Sequence, residues 1–250
     1  MGRLKDKVAI ITGGAGGMGA SHAKRFVEEG AKVVIADLAS TNSENLTKVL
    51  GENVIFIETD VTKELSWESL VNKTIEKFGK VDILVNNAGI STSGLVEDTS
   101  LEEFEKVVSI NQTGVFLGMK HVVPNMKKNK AGSIINISSI SGLRGTKEGV
   151  SYGASKFAVT GMTKSVALEV ADYGVRVNSV HPGIIRTKMT DPAGLNKETA
   201  RVIQTFIDKI PAKRMAEPEE VTNLVLYLAS EESSYSNGAE FVVDGGSTAQ

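Results

Sequence analysis

The sequence VAIITGGAGGMG at residues 8–19 joins a short apolar run to a glycine-rich turn. The run Val8–Thr12 has the length of a buried strand, and a helix-length segment, Gly17–Glu29, overlaps the end of the glycine turn and continues from it. A strand, a turn and a helix in this order bring free backbone N–H groups and the positive end of a helix dipole close to a bound pyrophosphate. The stretch therefore predicts a dinucleotide-binding unit of the α/β class.

Apolar runs alternate with helix-length segments along the rest of the chain. Runs such as VVIAD and DILVNN are almost continuously apolar, which is typical of strands buried on both faces. Strands are predicted at Val8–Thr12, Lys32–Ala36, Val54–Glu58, Val81–Asn86, Ser133–Ser138, Arg176–His181 and Glu240–Val243. Helices are predicted at Gly17–Glu29, Ser66–Phe78, Leu101–Lys128, Tyr152–Ala171 and Pro218–Ala229. The alternation indicates a Rossmann-type, doubly wound parallel sheet of about seven strands with helices on both faces.

Length and composition favour one domain over residues 1–250. The chain is 41% hydrophobic and has a formal net charge of -2, which offers no basic surface for nucleic acid. It contains no cysteine, and its three histidines, His22, His121 and His181, are scattered, so no metal site is predicted. The N-terminal apolar run is too short for a secretory signal, and no run approaches a membrane span. We therefore expect a cytoplasmic protein that binds neither nucleic acid nor membranes.

The glycine turn fits two registers of a phosphate-binding motif. Gly14, Gly16 and Gly19 match the pattern GxGxxG, whereas Gly13, Gly17 and Gly19 match TGxxxGxG. Both patterns need small residues because the pyrophosphate has to approach the backbone closely. A tight turn without a ligand is the alternative, but the flanking strand and helix favour the motif.

Asp37 ends the second apolar strand, eighteen residues after Gly19. An acidic residue at about this spacing hydrogen-bonds the adenosine ribose, and its charge repels a 2′-phosphate. Neither Gly16 nor Leu38 supplies a cation that would compensate for the repulsion. The pattern predicts NAD as the cofactor, with a helix-capping role for Asp37 as the alternative.

Tyr152 and Lys156 stand four residues apart and follow Ser139 in the chain. Residues i and i+4 share one face of a helix, so the Lys156 ammonium can lie near the Tyr152 phenol and bring its pKa towards the working pH. A phenol with such a neighbour is suited to giving a proton to an alkoxide left by hydride transfer. The pair therefore predicts a hydride-transfer enzyme with Tyr152 as its acid/base.

From Lys7 to Gly246 these motifs resemble the classical type of the short-chain dehydrogenase/reductase family, which uses the TGxxxGxG register. The resemblance implies cofactor contacts at Gly13, Gly16, Gly17, Met18, Gly19, Asp37 and Leu38. It implies further contacts at Asp60 and Val61 near the adenine, at Asn87, Ala88 and Gly89 after the fourth strand, and at Pro182, Gly183, Ile185 and Thr187 beside the nicotinamide. Ordinary turns or caps are the alternatives for these short motifs.

The resemblance also implies a catalytic set of Asn111, Ser139, Tyr152 and Lys156. Ser139 would hydrogen-bond the substrate oxygen, Lys156 would bind the nicotinamide ribose besides tuning Tyr152, and Asn111 would support proton relay. Family spacing favours Ser139 over Ser138, since neighbouring strand residues point to opposite faces. A homotetramer is implied because the helices beginning near Leu101 and Tyr152 resemble the family's interface pair.

The expected activity is hydride transfer between NAD(H) and a small secondary alcohol or ketone, without a metal ion. A non-catalytic dinucleotide-binding regulator is one alternative. A 3-oxoacyl thioester reductase is another, which Asp37 disfavours because such reductases generally use NADPH, and which Arg144 and Lys147 near the site entrance leave open. Residues 183–207 are predicted to form a substrate-binding loop or lid. Apolar residues expected in the pocket are Leu95, Leu143, Ile184, Met189, Leu195 and Phe206. They predict a cleft for a hydroxysteroid or similar alicyclic alcohol, unless they only pack the loop.

Overall fold

The structure is a computed structural model that describes residues 2–39, 43–187, 190, 201, 204–205 and 207–249, with the backbone alone for residues 44 and 45. In this part of the chain the centre is a sheet of seven parallel strands. They are β1 (Val8–Thr12), β2 (Lys32–Asp37), β3 (Val54–Glu58), β4 (Ile83–Asn86), β5 (Gly132–Ile137), β6 (Val175–Pro182) and β7 (Glu240–Val243). Their order across the sheet is β3-β2-β1-β4-β5-β6-β7. The predicted Rossmann-type parallel sheet is confirmed.

Helices cover both faces of the sheet. Within the described ranges they are α1 (Gly17–Glu28), α2 (Ser43–Leu50), α3 (Glu64–Phe78), α4 (Leu101–Val108), α5 (Gly114–Asn129), α6 (Val150–Val170) and α7 (Pro218–Ala229). Successive strand residues point to opposite faces, so Ile10 joins the apolar layer of α3, α5 and α6, while Ile11 joins that of α1 and α7. None of the helices described is both long and apolar enough to cross a membrane.

The strand order reverses at β1, which pairs with β2 on one side and β4 on the other. Open α/β sheets bind ligands in the crevice at the carboxyl ends of the strands where such a reversal occurs. The glycine turn follows β1, Asp37 ends β2, and the segment Asn87–Gly89 follows β4. The fold therefore brings three of the sequence motifs to one edge of the sheet.

The elements differ from the sequence prediction mainly at their ends. β4 begins at Ile83 rather than Val81, because the Val81 N–H donates to the Asn125 side chain (3.0 Å) and not to a neighbouring strand. Helix α2 has no counterpart in the prediction, since it is short and largely polar. The predicted helix Leu101–Lys128 is divided, because a π-helical turn, Ser109–Thr113, separates α4 from α5.

Candidate active site

The glycine turn leads into the N-terminal end of α1. Gly13 (φ 62°) and Gly17 (φ 51°) have left-handed backbone conformations, and a Cβ at Gly19 would lie 2.2 Å from the Gly13 carbonyl oxygen. A Cβ at Gly16 would meet no atom within 4 Å. The packing of the chain itself therefore requires glycine in the TGxxxGxG register. Gly16 instead leaves open space at the end of the helix.

The first turn of α1 has neither a side-chain cap nor an acidic residue. Its backbone N–H groups and the helix dipole are therefore available to an anion, as a bound pyrophosphate requires. Met18 lies in this turn and packs against the apolar layer of α1 and α7. The uncapped turn and the open space at Gly16 fit the phosphates of a dinucleotide.

Asp37 lies at the carboxyl end of β2, beside the glycine turn. Its Oδ2 accepts a hydrogen bond from the Ala15 N–H (3.0 Å), and its Oδ1 accepts one from the Leu38 N–H (2.8 Å). The next described helix begins only at Ser43, so Asp37 is not its cap. A carboxylate has about four acceptor positions, which leaves this one able to accept from a further donor.

A cleft of about 350 Å³ opens beside Leu38 and Asp60. About half of Leu38 is exposed, while Asp60 Oδ1 accepts hydrogen bonds from the N–H and the hydroxyl of Thr62 (2.9 and 2.7 Å). Val61 is buried, and its carbonyl oxygen accepts a hydrogen bond from the Trp67 indole (3.0 Å). Leu38 and Asp60 therefore share one cleft, whereas the Val61 side chain lies mostly in the core.

Thr12 ties the loop after β4 to the end of β1. Its hydroxyl accepts hydrogen bonds from the backbone N–H groups of Asn87 and Ala88, both at 3.0 Å. The Asn87 side chain donates in return to the Thr12 carbonyl oxygen (2.9 Å). A Cβ at Gly89 would lie 3.2 Å from Asn111 Oδ1. The loop is therefore held between the glycine turn and Asn111.

Asn111 is fully buried in the π-helical turn. Its Oδ1 accepts from the Ile90 N–H (2.9 Å), and its Nδ2 donates to the Ile90 carbonyl oxygen (2.8 Å) and to the Ser155 hydroxyl (3.1 Å). The Ser155 hydroxyl in turn donates to the Tyr152 carbonyl oxygen (2.7 Å). Asn111 thereby connects the loop after β4 with the first turn of α6.

Ser139 follows β5 and begins a short 3-10 turn, Ile140–Gly142. Its Oγ accepts a hydrogen bond from the Ser141 N–H (3.1 Å), and its side chain interacts with the Tyr152 phenol in the direction that lowers the pKa of Tyr152. The Ser138 hydroxyl instead donates to the Lys156 carbonyl oxygen (3.0 Å). It is Ser139, then, that faces Tyr152, as the alternation of strand side chains predicts.

Tyr152 and Lys156 lie on α6, with Lys156 Nζ 5.5 Å from the centre of the Tyr152 ring. Burial raises the pKa of Tyr152, and the Ser139 hydrogen bond opposes this shift without cancelling it. Burial lowers the pKa of Lys156 to about 8, and its ammonium donates to the Ile137 carbonyl oxygen (2.8 Å). The prediction that the Tyr152 pKa is lowered is therefore wrong. Desolvation of the phenol raises this pKa by more than the neighbouring side chains lower it.

His181 lies on β6 behind Ser139. Its Nδ1 is 2.9 Å from the Ser139 carbonyl oxygen, and its Nε2 is 2.8 Å from the Ser179 hydroxyl. The ring is fully buried, and this burial lowers the pKa of His181. The ring is therefore neutral at pH 7.

The segment after β6 returns towards the glycine turn. Pro182 ends β6, and the Gly183 N–H donates to β7 (2.8 Å). Ile185 is buried in an isolated parallel bridge, and the Thr187 methyl group lies 3.4 Å from where a Cβ at Gly17 would stand. The residues expected near the nicotinamide thus reach from the end of β6 to the start of α1.

Two loops expected to line the substrate pocket are joined by a hydrogen bond from the Gly94 N–H to the Glu148 carbonyl oxygen (2.9 Å). Leu95 is exposed, and Leu143 and Ile184 are partly buried. Met189, Leu195, Phe206 and much of the predicted loop 183–207 lie outside the described residues. Among the residues described, no group of three acidic or histidine side chains could hold a metal ion.

Three residues without an assigned role in the sequence analysis take part in this arrangement: Ser141, Ser155 and His181. Ser155 lies within the Tyr152–Lys156 motif, and His181 directly precedes Pro182. In the sequence, only this proximity to a motif indicates that the two residues belong to the site. Ser155 accepts from Asn111 of the π-helical turn, and His181 contacts Ser139 after β5, so these two contacts depend on how distant segments pack together.

Comparison with known proteins agrees with this geometry. A family profile described as "Enoyl-(Acyl carrier protein) reductase" matches residues 13–248. A Mycobacterium tuberculosis protein named 3-alpha-(or 20-beta)-hydroxysteroid dehydrogenase is 49% identical, over 99% of this chain and 92% of its own length. The NADP-dependent (R)-specific alcohol dehydrogenase of Lentilactobacillus kefiri is 46% identical, over 99% of each chain.

Among solved structures, a levodione reductase superposes with a TM-score of 0.92 at 35% sequence identity, covering 98% of this chain and 99% of its own. These similarities extend over nearly the whole chain. The chain therefore belongs to the short-chain dehydrogenase/reductase family, whose members bind a nicotinamide dinucleotide, and is an oxidoreductase that acts on CH–OH groups.

Proposed function

We propose that the protein transfers a hydride between NAD(H) and a secondary alcohol or ketone, with Tyr152 as the acid/base. The observation that carries this proposal is the partly buried Tyr152 phenol, which interacts with the Ser139 side chain and has Lys156 one helical turn away. The uncapped N-terminus of α1 supplies the anion-binding end of the same crevice.

In the oxidising direction, the Ser139 hydroxyl orients the alcohol oxygen, and Tyr152 has to be present as its phenolate to accept the alcohol proton. In the reducing direction, Tyr152 returns that proton to the carbonyl oxygen. Because burial raises the pKa of Tyr152, the phenol carries its proton at neutral pH, which suits reduction. When bound, the nicotinamide dinucleotide donates or accepts the hydride.

Lys156 and Asn111 support this exchange. The Lys156 ammonium is assigned to the ribose and to stabilisation of the phenolate, although its pKa of about 8 limits the charge it carries in alkaline solution. Asn111 is assigned to the proton relay, and its contacts with Ile90 and Ser155 also fix the backbone around Tyr152.

NAD is proposed as the cofactor because Asp37 presents a carboxylate at the end of β2, beside the glycine turn. A negative charge there favours ribose hydroxyls and repels a 2′-phosphate. The L. kefiri relative is NADP-dependent at 46% identity, so overall similarity does not decide between the cofactors. The proposal therefore depends on Asp37 itself.

The proposed substrate class is a hydroxysteroid or another alicyclic alcohol. The M. tuberculosis relative, named for hydroxysteroids, supports it, as do Leu95, Leu143 and Ile184 near the site. Reduction of a 3-oxoacyl thioester is the second candidate, favoured by the family description and by Arg144 and Lys147, which are exposed on the loop after Ser139. Hydroxysteroids, cyclic alcohols, their ketones and a 3-oxoacyl thioester, each tested with both cofactors by nicotinamide absorbance, distinguish these candidates.

The first prediction concerns Tyr152→Phe, which keeps the ring and removes the acidic hydroxyl. Turnover on the best substrate should fall about 10²- to 10⁴-fold, the usual contribution of general acid/base catalysis. NAD affinity, measured by fluorescence titration, should stay near that of the wild type. Lys156→Met should weaken both turnover and NAD binding, since Lys156 is assigned to the ribose as well.

Near-normal turnover of Tyr152→Phe would contradict the catalytic assignment. A wild-type protein that binds NAD but converts no member of the substrate panel would instead favour the non-catalytic regulator.

A further inference from the structure

We propose that His181 is a positioning residue for Ser139, holding the Ser139 carbonyl oxygen so that the hydroxyl meets Tyr152 and the substrate oxygen in one fixed place. This inference rests on the proposed function, because it gives His181 a role only through Ser139. His181 lies on β6, so the proposal adds a side chain of this strand to a site otherwise formed by the end of β5 and by α6.

The hydrogen bonds define which ring nitrogen carries the proton. A carbonyl oxygen can only accept, so His181 Nδ1, 2.9 Å from the Ser139 carbonyl oxygen, has to be the N–H donor. In a neutral imidazole Nε2 is then an acceptor, and the Ser179 hydroxyl lies 2.8 Å from it. Ser179 and His181 are two residues apart on β6, so their side chains share one face of the strand.

Ser139 is held by three hydrogen bonds. It stands in an extended conformation (φ -169°, ψ 163°) between the end of β5 and the 3-10 turn. Its carbonyl oxygen accepts both the His181 Nδ1–H and the Gly142 N–H (2.9 Å), and its Oγ accepts the Ser141 N–H (3.1 Å). The N–H groups of Ser141 and Gly142 are donors within the 3-10 turn itself. Of the three donors, only His181 lies on β6, so its hydrogen bond joins the turn to that strand.

The anchor matters because the Ser139 hydroxyl acts by position. With Oγ accepting from Ser141, its own O–H points its single donor at the Tyr152 oxygen or at a substrate oxygen beside it. Small displacements of such a group reduce catalysis strongly. A displaced Ser139 should therefore slow turnover and leave NAD binding, which depends on the glycine turn, almost unchanged.

The surroundings of His181 favour a permanent, neutral donor. The ring has no exposed surface. Burial, Lys156 and Lys164 lower the pKa of His181, whereas the Ser139 carbonyl oxygen and Glu240 raise it. Burial is the largest of these causes, so it favours the neutral ring that the two hydrogen bonds require.

Three substitutions separate the two ring contacts. The Asn side-chain nitrogen branches from Cγ as His Nδ1 does, so His181→Asn can keep the donor to Ser139 and lose the contact with Ser179. A Gln amide reaches further, to the level of Nε2, so His181→Gln can keep the Ser179 contact and lose the donor. Ser179→Ala is the matched control that removes the second contact, together with the longer hydrogen bond from Ser179 to the Ala239 carbonyl oxygen (3.4 Å).

The experiment measures kcat, the KM for substrate and the NAD affinity of these variants in the wild-type and Ser139→Ala backgrounds. His181→Gln should lower kcat roughly tenfold, as expected for loss of one well-placed hydrogen bond. His181→Asn and Ser179→Ala should stay within about twofold of the wild type on the same reasoning. In the Ser139→Ala background the His181→Gln effect should disappear, because a double-mutant cycle reveals action through a shared group.

A His181→Gln effect that persists without the Ser139 hydroxyl, or equal losses in the Asn and Gln variants at equal thermal stability, would overturn the inference. If Ser139→Ala itself leaves kcat unchanged, the Ser139 assignment of the proposed function fails and the inference falls with it. Long-range ¹H–¹⁵N spectra of the wild-type protein add a test that needs no substitution. They should show His181 protonated on Nδ1 at pH 7, and protonation on Nε2 alone would reject the proposal.

Discussion

The assignment of NAD as the cofactor depends mainly on Asp37. Two acceptor positions of its carboxylate already accept hydrogen bonds from the backbone N–H groups of residues 15 and 38. These bonds hold the carboxylate beside the glycine turn, so its charge lies at a fixed place and not on a mobile side chain. The direction of selectivity should therefore follow the charge at this one residue and at its neighbour Leu38.

Asp37→Ala combined with Leu38→Arg removes the negative charge and adds a cation for a 2′-phosphate. The ratio of kcat/KM with NAD(H) to that with NADP(H) should be well above one in the wild type and should move towards NADP(H) in the double variant. Leu38→Arg alone is the matched control, since it keeps Asp37 and should shift the ratio less. Equal wild-type efficiency with both cofactors contradicts the assignment.

At the scale of residues, the sequence reveals which groups belong to the candidate site better than how they interact. Spacing was enough to pair Tyr152 with Lys156 and to choose Ser139 over Ser138, because helix and strand periodicities are local properties. The direction of the Tyr152 pKa shift was predicted wrongly, since desolvation depends on everything packed around the phenol. The contacts of His181 and Ser155 likewise depend on residues distant in the chain.

Helices α1 and α7 pack together around a buried histidine. His22 Nδ1 lies 2.7 Å from the Thr222 hydroxyl, which itself donates to the Pro218 carbonyl oxygen. His22 Nε2 has no hydrogen-bond partner among the described residues. Burial lowers the pKa of His22 to about 3, so the folded protein holds this ring neutral.

An unfolded chain protonates the same ring near pH 6.5. Between pH 6.5 and about 3 the unfolded state therefore binds more protons, and the free energy of unfolding should fall as the pH falls. His22→Leu should remove this contribution, which amounts to at most about 1.4 kcal/mol per pH unit. Urea unfolding of wild type and variant at pH 7, 6 and 5 measures the difference in slope.

Thr222→Val provides the control, because it removes the partner hydroxyl and keeps the buried ring. Its acid sensitivity should resemble that of the wild type. An unchanged slope in His22→Leu would show that His22 does not govern acid stability.

At the scale of elements, strands were easier to predict than the helix that carries Asn111. Continuous apolar runs between glycines and polar turns locate buried strands, and β1, β3 and β7 have the predicted bounds. The π-helical turn has no comparable signal, because the segment from Leu101 to Lys128 looks like one helix. The turn accompanies the contacts of Asn111 with Ile90 and Ser155, which arise only in the folded protein.

At the scale of the whole molecule, the solvent-exposed side of α6 carries several apolar residues. Phe157, Gly161 and Leu168 recur at helical spacing on this face and are exposed. A Cβ at Gly161 would meet no atom within 4 Å, so another helix could approach closely there. This surface supports the homotetramer implied by the family resemblance, and it motivates a prediction about mass in solution.

Light scattering should give a mass about four times the 26.6 kDa of one chain. Phe157→Glu with Leu168→Glu should lower that mass, because burying unpaired charges in an interface is costly. Leu65→Glu changes an equally exposed leucine on α3 and should leave the mass unchanged. A wild-type mass of 26.6 kDa at micromolar concentration would refute the oligomer.

The π-helical turn at Ser109–Thr113 also has a consequence for inheritance. A turn of this kind is equivalent to one extra residue inserted into an α-helix, and the wider turn absorbs that residue so that α5 stays in phase with α4. Losing a single codon there should therefore restore a regular α-helix and leave Val115, Met119 and Val122 against the sheet that buries them. Asn111 would lose the backbone geometry that brings its side chain to Ile90 and Ser155. An in-frame deletion at this turn should therefore keep the fold and be purged from a lineage through its loss of activity.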